Sequence, residues 1–186
     1  MSKVKRIAGL LCVSMIAASA GCTTLQYASA WGDVNSASCY ITPTPGNAAS
    51  GLVTFKDREE GLLVIAEISG LTPNQKHGFH VHQLGYSGSS DATCTKGHYD
   101  PDETGFHALP GFDGDHHAGD LGVLHADGTG RASYRAVFSD LTVAGRHAIV
   151  GRAIIIHAKP DDGGQPTGNA GARIGVGNIA IGDHEP

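Results

Sequence analysis

His77-Gly78-Phe79-His80-Val81-His82 is the stretch on which the reading of this chain turns. On an extended strand, residues two apart share a face and neighbours point opposite ways. His80 and His82 therefore leave one face side by side, while Phe79 and Val81 point to the other, toward a core. His77 lies three positions before His80 and falls on the face opposite it, as a structural histidine. The stretch predicts a strand that is apolar on one side and carries half of a metal site on the other.

Outward from this strand the same alternation recurs. Leu62, Val64, Ala66 and Ile68 form one face of a strand over 61–69, and Ala132, Tyr134, Ala136 and Phe138 form one face over 131–138. Further strands are expected at 36–42, 51–57, 119–124, 151–157 and 173–181. Turn clusters such as Pro43-Thr44-Pro45-Gly46-Asn47 separate them. No segment keeps helical periodicity over three turns. Eight short strands with long loops argue for an all-β fold, an antiparallel barrel or sandwich in one domain, 36–186. No internal repeat is visible.

Between Gln83 and Ala118 no strand or helix pattern survives. A loop of this length in a compact domain is usually functional or disordered. It carries His98, His107, His116 and His117, and the reading is a loop folded by metal. A shorter Gly/Asp/Pro-rich loop runs from Lys159 to Ala172. The chain has 11 histidines, most of them between His77 and His125, which points toward metal chemistry. His157 ends the β-branched run Ile154-Ile155-Ile156. An all-imidazole group suits copper, and three histidines with one aspartate suit tetrahedral zinc. Two such sites need eight ligand positions. His80, His82, His157, His98, His107, His117 and Asp120 supply seven, so one histidine has to serve both metals. His117 is preferred over the adjacent His116 for its spacing to Asp120. His125, His147 and His184 are read as non-ligands.

The N-terminus carries an export signal. Lys3, Lys5 and Arg6 precede an apolar run, Ile7 to Ala18, too short to span a bilayer comfortably. Ser19-Ala20-Gly21-Cys22 resembles a bacterial lipobox, which predicts cleavage after residue 21 and lipid on Cys22; an ordinary signal peptide cut nearby is the alternative. Residues 22–35 read as a tether. The protein is expected to be exported to the periplasm or cell envelope, touching the membrane through its lipid anchor only. Removing residues 1–21 takes away three positive charges and no negative ones, which moves the formal net charge from −5 to −8. That argues against nucleic acid as a partner. Cys12 leaves with the signal and Cys22 is acylated, so Cys39 and Cys94 remain as an even pair in an oxidising compartment. They are expected to form a disulfide; two separate buried thiols are the alternative.

Several stretches together resemble the copper/zinc superoxide dismutase family, from about Ser36 onward. They are His77 to His82, Gly97-His98-Tyr99-Asp100-Pro101, His117-Ala118-Gly119-Asp120-Leu121-Gly122, Gly151-Arg152 through His157, and Thr167-Gly168-Asn169-Ala170-Gly171-Ala172-Arg173. The resemblance implies a Greek-key β-barrel. It implies one copper per subunit, held by His80, His82, His98 and His157. It implies one zinc per subunit, held by His98, His107, His117 and Asp120, with His98 bridging. Asp161 matches an aspartate that ties a copper ligand to a zinc ligand, and Arg173 matches the arginine beside the open copper position. The implied reaction converts two superoxide anions and two protons to O2 and hydrogen peroxide. Copper cycles between Cu(II) and Cu(I), and His98 and Arg173 assist. A homodimer is compatible with the apolar strand surface.

Two departures from the family pattern matter. The family bonds a loop cysteine to one shortly after the arginine, but Ile174-Gly175-Val176-Gly177 contains none. Cys39, near the first strand, is the partner left for Cys94. The 159–172 loop is also short and has no lysine after Lys159, so attraction of an anion rests on Arg173, with Lys159 and Lys96 as weaker contributors. Two other classes compete: a copper-buffering lipoprotein with the same fold, and a purely structural adhesion-like β-sandwich.

Overall fold

The computed structural model describes residues 34–182. The expected signal segment 1–21, Cys22, most of the expected tether and His184 lie outside the described residues. Nine strands follow one another: β1 (Ser36–Pro43), β2 (Ser50–Arg58), β3 (Gly61–Ser69), β4 (Lys76–His82), β5 (Asp120–His125), β6 (Ala132–Phe138), β7 (Ala153–His157), β8 (Arg173–Asn178) and β9 (Ala180–Ile181). Eight of them hydrogen-bond in the order β5-β4-β7-β8-β1-β2-β3-β6, every pair antiparallel, and β9 pairs with β1. β4 lies between β5 and β7, so the chain crosses over between β3 and β4 and again between β6 and β7. This is a nearly closed Greek-key barrel. β5 and β6 face each other across the seam, where the Tyr134 hydroxyl on β6 donates to the Leu121 carbonyl on β5 at 2.7 Å. This side-chain bond ties together two strands that share no ladder.

The last expected strand, 173–181, is divided in two. Ile179 turns inward and is buried, and its backbone bonds to Gly151 and Arg152 instead of continuing the ladder. β7 begins at Ala153, since Arg152 N–H closes a turn onto the Ile149 carbonyl.

Alternation decides which residues reach the site. On β4, Phe79 and Val81 are fully buried inside the barrel, and Phe79 meets Tyr134 edge-on at 5.3 Å. His80 and His82 face outward and are buried by loops. On β7, Ile154 and Ile156 enter the same core, while Ile155 packs outside with Ala92, Ala153 and Val176. His80 pairs with Ile155 and His82 with Ala153, so His157 shares their outer face. His77 has the inward parity of Phe79 and pairs with the core residue Leu124; its Nδ1 lies 2.8 Å from the His157 carbonyl. Gly78 keeps the outer face open: a Cβ there would sit 2.7 Å from the Ala170 methyl and 3.1 Å from the His80 ring.

The expected Cys39–Cys94 disulfide is absent, and both thiols are free. Cys39 points into the barrel with Ala37 and Ile41, where burial pushes its thiol up to about 12. Cys94 sits outside the wall on the 3₁₀ turn Thr93–Thr95, its Sγ accepting from the Ser87 N–H at 3.3 Å. Strand parity puts the two sulfurs on opposite sides of the sheet, beyond the short Cβ separation that a disulfide demands. The loop is held to β8 by other means. Ala92 packs on Val176, and the Asn178 side chain accepts from Tyr86 N–H at 2.6 Å and donates to the Tyr86 carbonyl at 3.1 Å.

Candidate metal centre

Two groups of side chains converge under the long loop. His80, His82, His98 and His157 form the first, and His98, His107, His117 and Asp120 the second. Within each group the potential ligand atoms all lie within 4.8 Å of one another, and every member is buried. β4 supplies His80 and His82, the end of β7 supplies His157, and the start of β5 supplies Asp120. The loop supplies His98, His107 and His117. His98 enters between the groups through a short antiparallel bridge with His82. Its ring stacks on His80 at 3.9 Å.

Each imidazole of the first group has one nitrogen engaged. His80 Nε2 lies 2.8 Å from Asp161 Oδ2, His82 Nδ1 lies 2.8 Å from the Lys96 carbonyl, and His157 Nδ1 lies 3.1 Å from the Gly171 carbonyl. The other nitrogens, His80 Nδ1, His82 Nε2 and His157 Nε2, are buried without a partner. A buried polar atom left unpaired costs about 1–3 kcal/mol. Three such atoms aimed at one point are what a metal ion would satisfy, and the donor set suits copper. In the second group His107 Nδ1 and His117 Nδ1 lie 2.9 and 3.4 Å from Asp120 oxygens, close enough for ion pairing but without good hydrogen-bond geometry. His98 Nδ1 reaches Asp120 Oδ1 at 2.7 Å. Three imidazole nitrogens crowding one carboxylate fit a tetrahedral zinc site.

Asp161 joins the two groups. Its Oδ2 meets His80 and its Oδ1 meets His107 Nε2 at 2.8 Å, which fixes both rings as carboxylates around metal sites do. Gly168 makes room for it: a Cβ there would collide with the Asp161 carboxylate and His107. The electrostatics separate the groups. Burial holds His157 near 3 and His98 near 4, and His82 well below its ordinary value, so these rings are neutral and free to ligate. His107 also suffers a burial penalty, but Asp120 and Asp161 outweigh it and raise the ring to about 9. Asp120 and Asp161 are depressed despite burial, because the surrounding histidines bond their oxygens.

Arg173, at the start of β8, is half-buried. Its Nη1 donates to the Ala92 carbonyl and, at 3.0 Å, to Thr95 Oγ1; its Nη2 donates to the Lys96 carbonyl at 2.6 Å. It borders a cleft of about 530 Å³ that it shares with Asp91, Thr93 and Gly171. Lys96 and Lys159 are exposed. The turn after His98 is shaped by Asp100, which accepts from Thr104 and Gly105 N–H groups. His116 sits apart, facing Asp140 at 3.4 Å. Sequence reasoning did not find the carbonyls of Lys96 and Gly171, which orient His82 and His157. Main-chain acceptors leave no residue-type signal. It also passed over Arg152, whose guanidinium covers the Tyr99 ring at 3.4 Å and donates to the Gln83 carbonyl.

A nearly closed Greek-key barrel bearing two imidazole-rich groups that share one histidine is the framework of a two-metal protein. The family model for copper/zinc superoxide dismutase matches residues 49–179. A superoxide dismutase [Cu-Zn] of Paramecium bursaria Chlorella virus 1 is 41% identical over 137 residues, covering 69% of this chain and 71% of that protein. One from Onchocerca volvulus is 36% identical over 152 residues, covering 74% and 92%. Among solved structures, the crystal structure of the clock protein EA4 superposes with a TM-score of 0.71 at 32% identity, covering 79% of this chain and 94% of that one. The chain belongs to the copper/zinc superoxide dismutase family. It is a superoxide dismutase, with copper and zinc as its cofactors.

Proposed function

We propose that the copper of this superoxide dismutase is held by His80, His82, His98 and His157, and the zinc by His98, His107, His117 and Asp120, one of each per subunit. The observation that carries this assignment is the convergence of unpaired, buried nitrogens of His80, His82 and His157. Copper bound there supplies the one-electron redox chemistry, alternating between Cu(II) and Cu(I). Arg173 presents a fixed cation to the superoxide anion, and a guanidinium keeps its charge at any working pH. His98 Nδ1 faces Asp120 at 2.7 Å, on the side of the zinc group, which leaves Nε2, on the side of the copper group, as the atom that would take up and return a proton. That proton and one from solvent convert the reduced oxygen species to hydrogen peroxide, and the other superoxide leaves as O2. Asp161 keeps the His80 and His107 rings in a single tautomer, and the loop's zinc-side residues keep His98 in place.

Metal analysis of the purified protein beside a superoxide-removal assay tests this. The expected result is one copper and one zinc per chain, with turnover lost by at least about a thousand-fold in His98→Ala, the scale of a missing proton-transfer and metal-bridging group. Stoichiometric copper without turnover would reassign the protein to copper buffering.

We further infer export and lipid anchoring through Cys22, in the periplasm or cell envelope, from the basic start, apolar run and Ser19-Ala20-Gly21-Cys22. Labelled fatty acid is expected to enter the wild-type protein and not Cys22→Ala; equal labelling of both would remove the anchor.

A further inference from the structure

Lys96 has φ 66° and ψ −150°, a region that glycine occupies freely and other residues adopt only when their surroundings hold them there. Its surroundings do so. The Lys96 carbonyl accepts from Arg173 Nη2 at 2.6 Å and from His82 Nδ1 at 2.8 Å. The preceding side chain repeats the pattern. Thr95 is fully buried; its hydroxyl donates to the Ala92 carbonyl at 2.9 Å, accepts from Arg173 Nη1 at 3.0 Å, and lies 3.3 Å from His82 Nδ1. A hydroxyl has one proton and two lone pairs. With the His82 proton on Nδ1, the tautomer that leaves Nε2 free, that one proton is shared between the Lys96 carbonyl and, at the longer distance, the Thr95 hydroxyl. Arg173 and His82 therefore share the same two acceptors, one of them a side chain.

We propose that Thr95 is a positioning residue for superoxide capture: its hydroxyl aims the Arg173 guanidinium and ties it to the copper-ligand ring of His82. The guanidinium has five N–H donors. Its contacts to Ala92, Thr95 and Lys96 occupy three and leave two for an anion. With the hydroxyl removed, one of three anchors is lost: Nη1 keeps its contact to Ala92 and Nη2 its contact to Lys96, but one Nη1 proton has no acceptor. The fork is then held less tightly, and the free donors meet the anion in a less defined orientation. This inference rests on the copper and Arg173 assignments made above.

The test uses the copper- and zinc-loaded enzyme and azide, a small anion whose binding is followed by optical titration. Thr95→Val, nearly isosteric, is expected to weaken azide binding about five-fold, and Thr95→Ser to stay within about two-fold of wild type. In an Arg173→Ala background, Thr95→Val is expected to have no further effect, since the two residues act as a unit. Wild-type azide affinity in Thr95→Val, or the same loss in the Arg173→Ala background, overturns the proposal. Unchanged azide affinity in Arg173→Ala alone would remove the guiding role of Arg173 and this inference with it. A measurement on wild type covers the case in which Thr95→Val does not fold. In the diamagnetic copper(I)/zinc enzyme, rotation about the Arg173 Cζ–Nη1 bond is expected to be slow by NMR, and fast rotation overturns the proposal.

Discussion

The two halves of the metal centre are built differently. His80, His82 and His157 stand on strands whose opposite faces are core: Phe79, Val81, Ile154 and Ile156 are fully buried behind them. Barrel packing therefore sets their spacing. His98, His107 and His117 stand on a loop with little ladder pairing. Their spacing comes from Asp120, Asp161 and the few main-chain bonds near Tyr99 and Gly119. The difference teaches that the strand half is preorganised by hydrophobic burial, while the loop half depends on charge. His98 belongs to both.

The comparison is broken most directly by removing metal. In the metal-free protein, amide hydrogen exchange over 101–117 is expected to rise about a hundred-fold or more, while β4 and β7 change by less than about three-fold, since local opening follows local contact density. A comparable rise in β4 would show that packing does not hold the strand half. A smaller effect is expected where the halves are tied near β8. Arg173→Ala is expected to lower kcat/KM for superoxide about ten-fold at low ionic strength, the scale of one charge-assisted contact. An unchanged low-salt rate would remove the guiding role.

The smallest expected effect is on the pH dependence of stability, and it has opposite signs in the two halves. His98 and His157 titrate near 4 and 3 in the folded state against an ordinary 6.5. Below pH 6.5 the unfolded chain takes protons that the folded chain refuses, so stability falls as pH drops through that window. His107 is raised from 6.5 to about 9; its contribution is complete below 6.5 and is lost as pH rises toward 9. The melting temperature of the metal-free protein is therefore expected to peak near pH 6.5 and fall on either side. A monotonic rise from pH 5 to 9 would contradict the assigned environments.

Much of the centre was legible because strand parity is a local rule. His80-Val81-His82 announces two outward imidazoles before any tertiary information, and Ile154-Ile155-Ile156-His157 does the same at the other strand. The ligand-type spacing of His98, His107, His117 and Asp120 was legible as a set, since few other reasons gather such residues in one loop. The cysteines were misread for the complementary reason. An even count says nothing about which side of a sheet each sulfur faces, and Cys39 has the inward parity of Ala37 and Ile41. The division of 173–181 was also invisible, because Ile179 looks like any other strand residue until its backbone meets Gly151 and Arg152.

By itself, then, the sequence determined the all-β class, the outward direction of the strand histidines and the chemical types of both donor sets, because alternation and residue chemistry are properties of a few neighbouring positions. The resemblance implied that His98 stands between the groups and that Asp161 reaches one histidine from each, but strand parity and residue chemistry alone did not. The tertiary structure shows both contacts, and it alone decided that Ala92, Thr95 and Lys96 hold the loop against β8 in place of the disulfide expected between Cys94 and Cys39 of β1. Those contacts join residues up to 81 positions apart, and their distances are set by how the barrel closes.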